Sequence, residues 1–159
     1  MAIIDYITLN QDWKADIGIG LLIGTIFIIL NLTIGITIGF PNLPQATEGE
    51  RIITVGIFAP FGEELWFRAI VYPILSILMG FLLAMILSAI IFALFHAYAY
   101  AGGLSPEQLL NAQGAFIGAG IFGIVAVLLV KMRKSFLAPL IAHAMFNIFL
   151  VARQFIVVG

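Results

Sequence analysis

The chain has no cysteine, which removes disulfides, a thiol nucleophile and thiolate metal sites from consideration together. Charge is nearly as scarce. Asp, Glu, Lys and Arg make up 9 % of the 159 residues, against about 25 % in soluble domains. The formal net charge of −1 leaves no basic footprint for nucleic acid. The first eighteen residues, MAIIDYITLNQDWKADIG, carry three Asp and one Lys. They lack the basic start of a secretory leader, so no cleavage is expected. Serine offers no clear nucleophile: Ser76 and Ser135 fall near the ends of apolar runs. Ser88 stands alone and is expected to bond back to its own helix.

What is abundant is apolar. Hydrophobic residues make up 63 % of the chain and the mean hydropathy is +1.18. A helix needs about 20 mainly apolar residues to cross a bilayer. That rule predicts an all-α, polytopic membrane bundle in one domain, with about five spans near residues 17–40, 51–75, 78–101, 108–130 and 135–157. The sequence GFPNLP closes the first span and a Gly-Gly break follows the third, where Tyr98 and Tyr100 suit an interface. Residues 5–16 read as a short surface helix with Trp13 at the headgroups, and Ser135 reads as the N-cap of the fifth span. Gly20 and Gly24, Gly35 and Gly39, and Gly114 and Gly118 sit at i, i+4, a spacing for close helix packing inside the bundle. Lys131, Arg133 and Lys134 cluster between the last two spans. Placing them inside makes the N-terminus cytoplasmic and the C-terminus external.

Against this background a few polar residues stand out. From Ile52 to Pro106 the only charges are Glu63, Glu64 and Arg68, and both histidines of the chain, His96 and His143, lie in predicted spans. Ionisable groups inside a membrane are costly and are functional candidates by default. Glu64 and Arg68 are i, i+4 with the acid first, the favoured order for a helical ion pair. Glu63 lies about 100° around the helix and is left over as a candidate base. Pro60 has no N–H for the carbonyl of Gly56, so the helix is expected to distort there. Phe92 and His96 share one face of their span, as do His143 and Asn147 of theirs. Should these faces converge on Glu63, the carboxylate takes a proton from water, a histidine orients the oxygen, and donors from His143 and Asn147 stabilise an oxyanion. The plainer readings are a structural Glu64–Arg68 clamp, packing histidines, Asn147 as interhelical glue and Phe92 as core.

EELWFR fits E-E-x-x-x-R, FALFH fits F-x-x-x-H and HAMFN fits H-x-x-x-N. In order and spacing the three motifs resemble the CPBP family of intramembrane proteases, which includes type II CAAX prenyl endopeptidases and bacteriocin-processing or immunity-related proteins. The resemblance spans about residues 51–150. It implies a membrane endopeptidase in which Glu63 activates water with His96, while His143 and Asn147 form the oxyanion hole. Glu64, Arg68 and Phe92 would organise the site. It also implies a peptide or lipidated-peptide substrate in contact with membrane lipid. No cofactor is favoured, since no H-E-x-x-H supplies two ligands from one helix; a zinc site of Glu63, His96 and His143 is the other reading. A non-catalytic immunity or partner-binding protein that keeps the fold is the alternative function. A proton relay through Glu63, His96 and His143 would need more polar residues than the spans hold.

The eukaryotic CAAX enzymes have more spans than the five counted, so the chain resembles a minimal core. One tension remains in the span positions. They put His96 roughly 9 Å outside the centre of its span and His143 roughly 5 Å inside the centre of its own, whereas a shared site needs similar depths.

Overall fold

The computed structural model describes residues 12–34, 47–101 and 106–158, and these are helical almost throughout. Five helices are present among them: α1, Trp13–Ile34; α2, over 48–79; α3, Phe81–Ala101; α4, Pro106–Arg133; and α5, Leu137–Val158. The all-α architecture is the one expected. The GFPNLP turn, the Gly35 and Gly39 pair, the Gly-Gly break and residues 5–11 lie outside the described residues. Trp13 opens α1 instead of belonging to a separate surface helix.

Among the described residues, four segments are long and apolar enough to cross a membrane: Trp13–Thr33, Phe81–Ala99, Ala112–Arg133 and Leu137–Gln154. Their outward faces carry large apolar side chains such as Leu22, Leu82, Ile117 and Met132, all exposed. Water would penalise such a surface and hydrocarbon does not, so this is an integral membrane protein. The expected second span is not among the four, because α2 contains no unbroken α-helical segment longer than eight residues. It alternates α-helical turns with two π-helical stretches, Ile52–Phe58 and Leu65–Val71. Backbone direction still runs through: the junction residues Arg51, Phe58, Glu64 and Val71 all have right-handed helical dihedrals.

Each π-helical stretch ends just before a proline, Pro60 or Pro73. The physical reason is the missing N–H. A proline interrupts the i to i−4 ladder, and a π-turn shifts the register by one so that neighbouring carbonyls find donors one residue later. At the first junction Ala59 N–H donates to Thr54 O, a π-type bond. Continued by one residue, that register sets Pro60, which has no N–H, opposite the carbonyl of Val55. The helix begins with a reciprocal cap. Thr47 N donates to Glu50 Oε2 at 2.7 Å and Glu50 N to Thr47 Oγ1 at 3.3 Å. Gly80, at φ +78° and ψ 171°, separates α2 from α3 in a conformation that a side chain would strain.

The helices associate in two pairs. α1 runs parallel to α5, with Gly20 and Gly24 against it; a Cβ on Gly20 would meet Ala138 O and Ile141 Cβ at 2.7 Å. α3 runs antiparallel to α4, with Ala89 against Gly123 and Ala93 against Gly120. The three-residue turn at 134–136 reverses the chain; Lys134 has φ +54°, and Ser135 Oγ accepts from Leu137 N at 3.1 Å. With α1, α3 and α5 running the same way, α2 has to carry the chain back across the bundle even though it is broken. Arg133 Nε meets the buried Asp16 at 2.6 Å at one end of α1, and Arg153 Nη1 donates to Asn31 Oδ1 at 2.9 Å towards the other.

The core between the pairs is aromatic and small: Phe67, Phe92, Ala119, Phe122, Ala126 and Ala142. Ser88 is buried, and its hydroxyl has no hydrogen-bond partner among the described residues, contrary to the expected bond within its own helix. Nothing in its surroundings explains this.

Candidate active site

Glu63 and Glu64 end the short α-helical stretch Ala59–Glu64, between the two π-helical segments. Adjacent positions on a helix diverge by about 100°, and the two carboxylates serve different partners. Glu64 is fully buried. Its Oε2 lies 3.1 Å from Arg68 Nε, and its Oε1 lies 2.9 Å from His143 Nδ1. The i, i+4 pair expected from the sequence is therefore present, with a histidine from α5 added to it. Arg68, also fully buried, lies with Cζ 4.5 Å from the centroid of the Phe92 ring. A guanidinium over an aromatic face gains attraction that partly offsets its loss of water.

Glu63 faces the other way. Its Oε2 is 3.4 Å from His96 Nε2 and 3.7 Å from His143 Nε2. The depth conflict expected from the span positions does not arise: both imidazoles reach the same carboxylate oxygen. Their ring centroids are 6.1 Å apart.

The hydrogen bonds fix the tautomers. His96 Nδ1 lies 3.0 Å from Phe92 O, and a carbonyl only accepts, so Nδ1 carries the proton. His143 Nδ1 faces the Glu64 carboxylate in the same way. Both imidazoles, when neutral, therefore present the Nε2 lone pair towards Glu63 Oε2. That oxygen is buried and has no hydrogen-bond donor among the described residues. Three acceptor atoms facing one another call for something positive between or beside them: a proton, the hydrogens of a water, or a cation. Ligand atoms of Glu63, His96 and His143 all lie within 4.8 Å of one another. The backing of each imidazole by a carbonyl or a carboxylate is also the arrangement found behind metal-bound histidines. The donor set thus fits a divalent ion.

Asn147, one turn beyond His143, donates from Nδ2 to Val55 O at 3.0 Å. This is the carbonyl that Pro60 stands opposite in the π-register. Asn147, His96 and His143 line a cavity of about 60 Å³ together with Phe27, Phe122 and Phe146. At roughly 30 Å³ per water, it has room for a couple of molecules beside the histidines.

All seven residues singled out from the sequence belong to this assembly. Glu63, Glu64, His96 and His143 meet directly, Asn147 joins them along the cavity, and Arg68 and Phe92 stand behind. Sequence reasoning missed the Glu64–His143 bond, which depends on how α2 and α5 meet. It also missed Phe27 and Phe122, which look like any other apolar residue in a span.

The family model described as type II CAAX prenyl endopeptidase Rce1-like matches residues 50–149, which contain the three motifs. No curated protein and no solved structure matches the chain. The chain belongs to the Rce1-like type II CAAX prenyl endopeptidase family, a family of proteases.

Proposed function

We propose that the protein is an intramembrane endopeptidase that hydrolyses a peptide bond with water activated by Glu63. The observation that carries this reading is the meeting of Glu63 Oε2 with His96 Nε2 and His143 Nε2, at 3.4 and 3.7 Å, beside a cavity able to hold water. Glu63 takes the proton from the attacking water, and His96 Nε2 accepts its second hydrogen and orients the oxygen. The tetrahedral intermediate places negative charge on the former carbonyl oxygen. Asn147 has a second amide hydrogen to offer it, and His143 donates to it from Nε2 when it carries both protons. Glu63 then returns its proton to the leaving amine. Glu64 holds the His143 ring, and Arg68 holds Glu64.

A divalent ion such as zinc, held by Glu63, His96 and His143, would supply a more acidic bound water. The metal-free reading is preferred because Glu64 is held by Arg68 and by His143 Nδ1, which leaves Glu63 as the base, and it cannot serve both as ligand and as base.

The substrate is a short peptide segment, apolar or lipidated, reached from the membrane. The Lys131, Arg133 and Lys134 cluster supports a cytoplasmic α4–α5 turn, and with it a cytoplasmic N-terminus and an external C-terminus.

The test is the full chain in phosphatidylcholine vesicles with a mixed-sequence library of apolar peptides, some bearing a C-terminal prenyl-cysteine motif. Cleavage by the wild type and none by Glu63→Gln supports the reading. Equal behaviour of the two proteins removes it and points to a non-catalytic, partner-binding role.

A further inference from the structure

The family model ends short of α1, yet α1 supplies a wall of the cavity. Phe27 lines it together with His143 and Asn147. Its ring meets Phe122 of α4 edge-on, with centroids 5.5 Å apart, and Phe146 of α5 at 6.1 Å. It therefore stands where the α1–α5 pair faces the α3–α4 pair. Besides Phe122, α4 offers the same cavity only small residues, Ala115, Gly118 and Ala119. Four phenyl rings, Phe27, Phe92, Phe122 and Phe146, line the cavity, and of these only Phe27 comes from outside the matched segment.

The cavity is small. An engineered cavity of about 150 Å³ admits benzene, while this one holds about 60 Å³. A short aliphatic group fits there and an aromatic ring does not. Its polar rim is the pair of histidines and Asn147, so a group seated in it would lie immediately beside the atoms that meet Glu63.

We propose that Phe27 determines specificity: by closing the cavity between α1 and α4, it restricts one substrate position next to the scissile bond to small aliphatic side chains. The inference rests on the hydrolytic reading given above and adds a residue that the family's motifs do not contain. Shortening Phe27 to Ala removes more volume than the Leu-to-Ala exchange that opens a benzene-sized cavity elsewhere, and so should admit aromatic side chains. Phe27→Trp should narrow the space further.

The experiment has two arms. In the first, the full chain is reconstituted with the apolar peptide library and the products are sequenced by mass spectrometry. The wild type should deplete Phe and Trp about tenfold relative to Val and Leu at one position flanking the cut, a typical discrimination for an apolar pocket. Phe27→Ala should abolish that depletion at that position alone, and Phe27→Trp should shift the preference towards Ala. Cleavage whose side-chain profile is the same in all three proteins overturns the proposal. The second arm needs no hydrolysis. In a Glu63→Gln background, a membrane-spanning Leu-Ala peptide carrying a photoreactive diazirine leucine should crosslink to Ala119 or Phe122. The same peptide carrying benzoylphenylalanine should do so only when Phe27→Ala is also present. Crosslinking in this pattern without any cleavage by the wild type rejects the hydrolytic reading and retains the size filter. Crosslinking of both probes irrespective of Phe27, or of neither, overturns the filter. Phe27→Trp, which leaves no void, checks that the result does not reflect unfolding of the Ala variant.

Discussion

Glu64 Oε1 lies 2.9 Å from His143 Nδ1, while the other oxygen of the same carboxylate lies 3.1 Å from Arg68 Nε. One buried carboxylate thus holds a histidine from α5 and a guanidinium from its own helix. This joins two motifs, and it settles which nitrogen of His143 is turned towards Glu63. Removing a neighbour changes the chemistry at Glu63 without touching it.

The first prediction concerns Glu63 itself. Glu63→Gln preserves size and hydrogen bonding but cannot take a proton. Loss of a general base costs roughly 10²- to 10⁴-fold in rate, so peptide cleavage should fall by that factor. The melting temperature of the reconstituted protein should not fall, because Glu63 Oε2 receives no hydrogen bond from the described residues that the substitution would break. A fall in cleavage that tracks a fall in folded protein would instead assign Glu63 a structural role.

Arg68 should behave in the opposite way. It is fully buried beside Glu64, and removing one partner of a buried pair leaves the other charge uncompensated at a cost of about 3–5 kcal/mol. Arg68→Met should therefore lower stability strongly. The double variant Glu64→Gln with Arg68→Met should recover part of that loss, because no lone charge remains. Activity should stay low in the double variant, since an amide in place of the Glu64 carboxylate no longer offers His143 a negative charge. Thermal unfolding in detergent followed by cleavage assays separates the two effects.

The metal question gives the third prediction. If Glu63 serves as the base, it is not free to act as a ligand. Treatment with 1,10-phenanthroline followed by desalting should then leave cleavage within about twofold of the untreated protein, well short of the loss of roughly 10²-fold or more expected when catalytic machinery is removed. Loss of activity restored by added zinc would reverse the assignment and make Glu63, His96 and His143 a metal centre.

Six of the seven site residues were legible because polarity is so rare in these spans that each instance needed a reason; Phe92 was legible only through its i, i+4 spacing to His96. Glu63, Glu64, Arg68, His96 and His143 are costly in hydrocarbon, and helical spacing alone pairs Glu64 with Arg68 and His143 with Asn147. The unread parts depend on how helices meet. Asp16 looked like part of a solvated N-terminus and Arg133 like one charge in a basic turn, yet Asp16 is buried and bonded to Arg133 across α1 and α4. The span positions made His96 and His143 appear to differ in depth, yet their rings lie 6.1 Å apart, because hydropathy does not show how helices pack. Phe27 carried no signal at all. An apolar side chain facing a cavity and one facing lipid are alike in sequence.

The π-register at Pro60 gives the last prediction, and it separates packing from chemistry at Asn147. In an ordinary helix Pro60 would leave the carbonyl of Gly56 without a donor. After the π-turn it stands opposite Val55 O, which accepts from Asn147 Nδ2 at 3.0 Å. Asn147→Ala should therefore cost about 1 kcal/mol, towards the lower end of the penalty for an unpaired carbonyl because the bond is only partly buried. Pro60→Ala restores a backbone N–H at the position that can serve that carbonyl, so the cost of Asn147→Ala should shrink markedly in its presence. A double-mutant cycle on thermal stability measures this coupling. The same four proteins, assayed for cleavage, test the second role of Asn147. If it also stabilises an oxyanion, the double variant regains stability but not activity. If activity returns with stability, Asn147 only mends the break that Pro60 makes in α2.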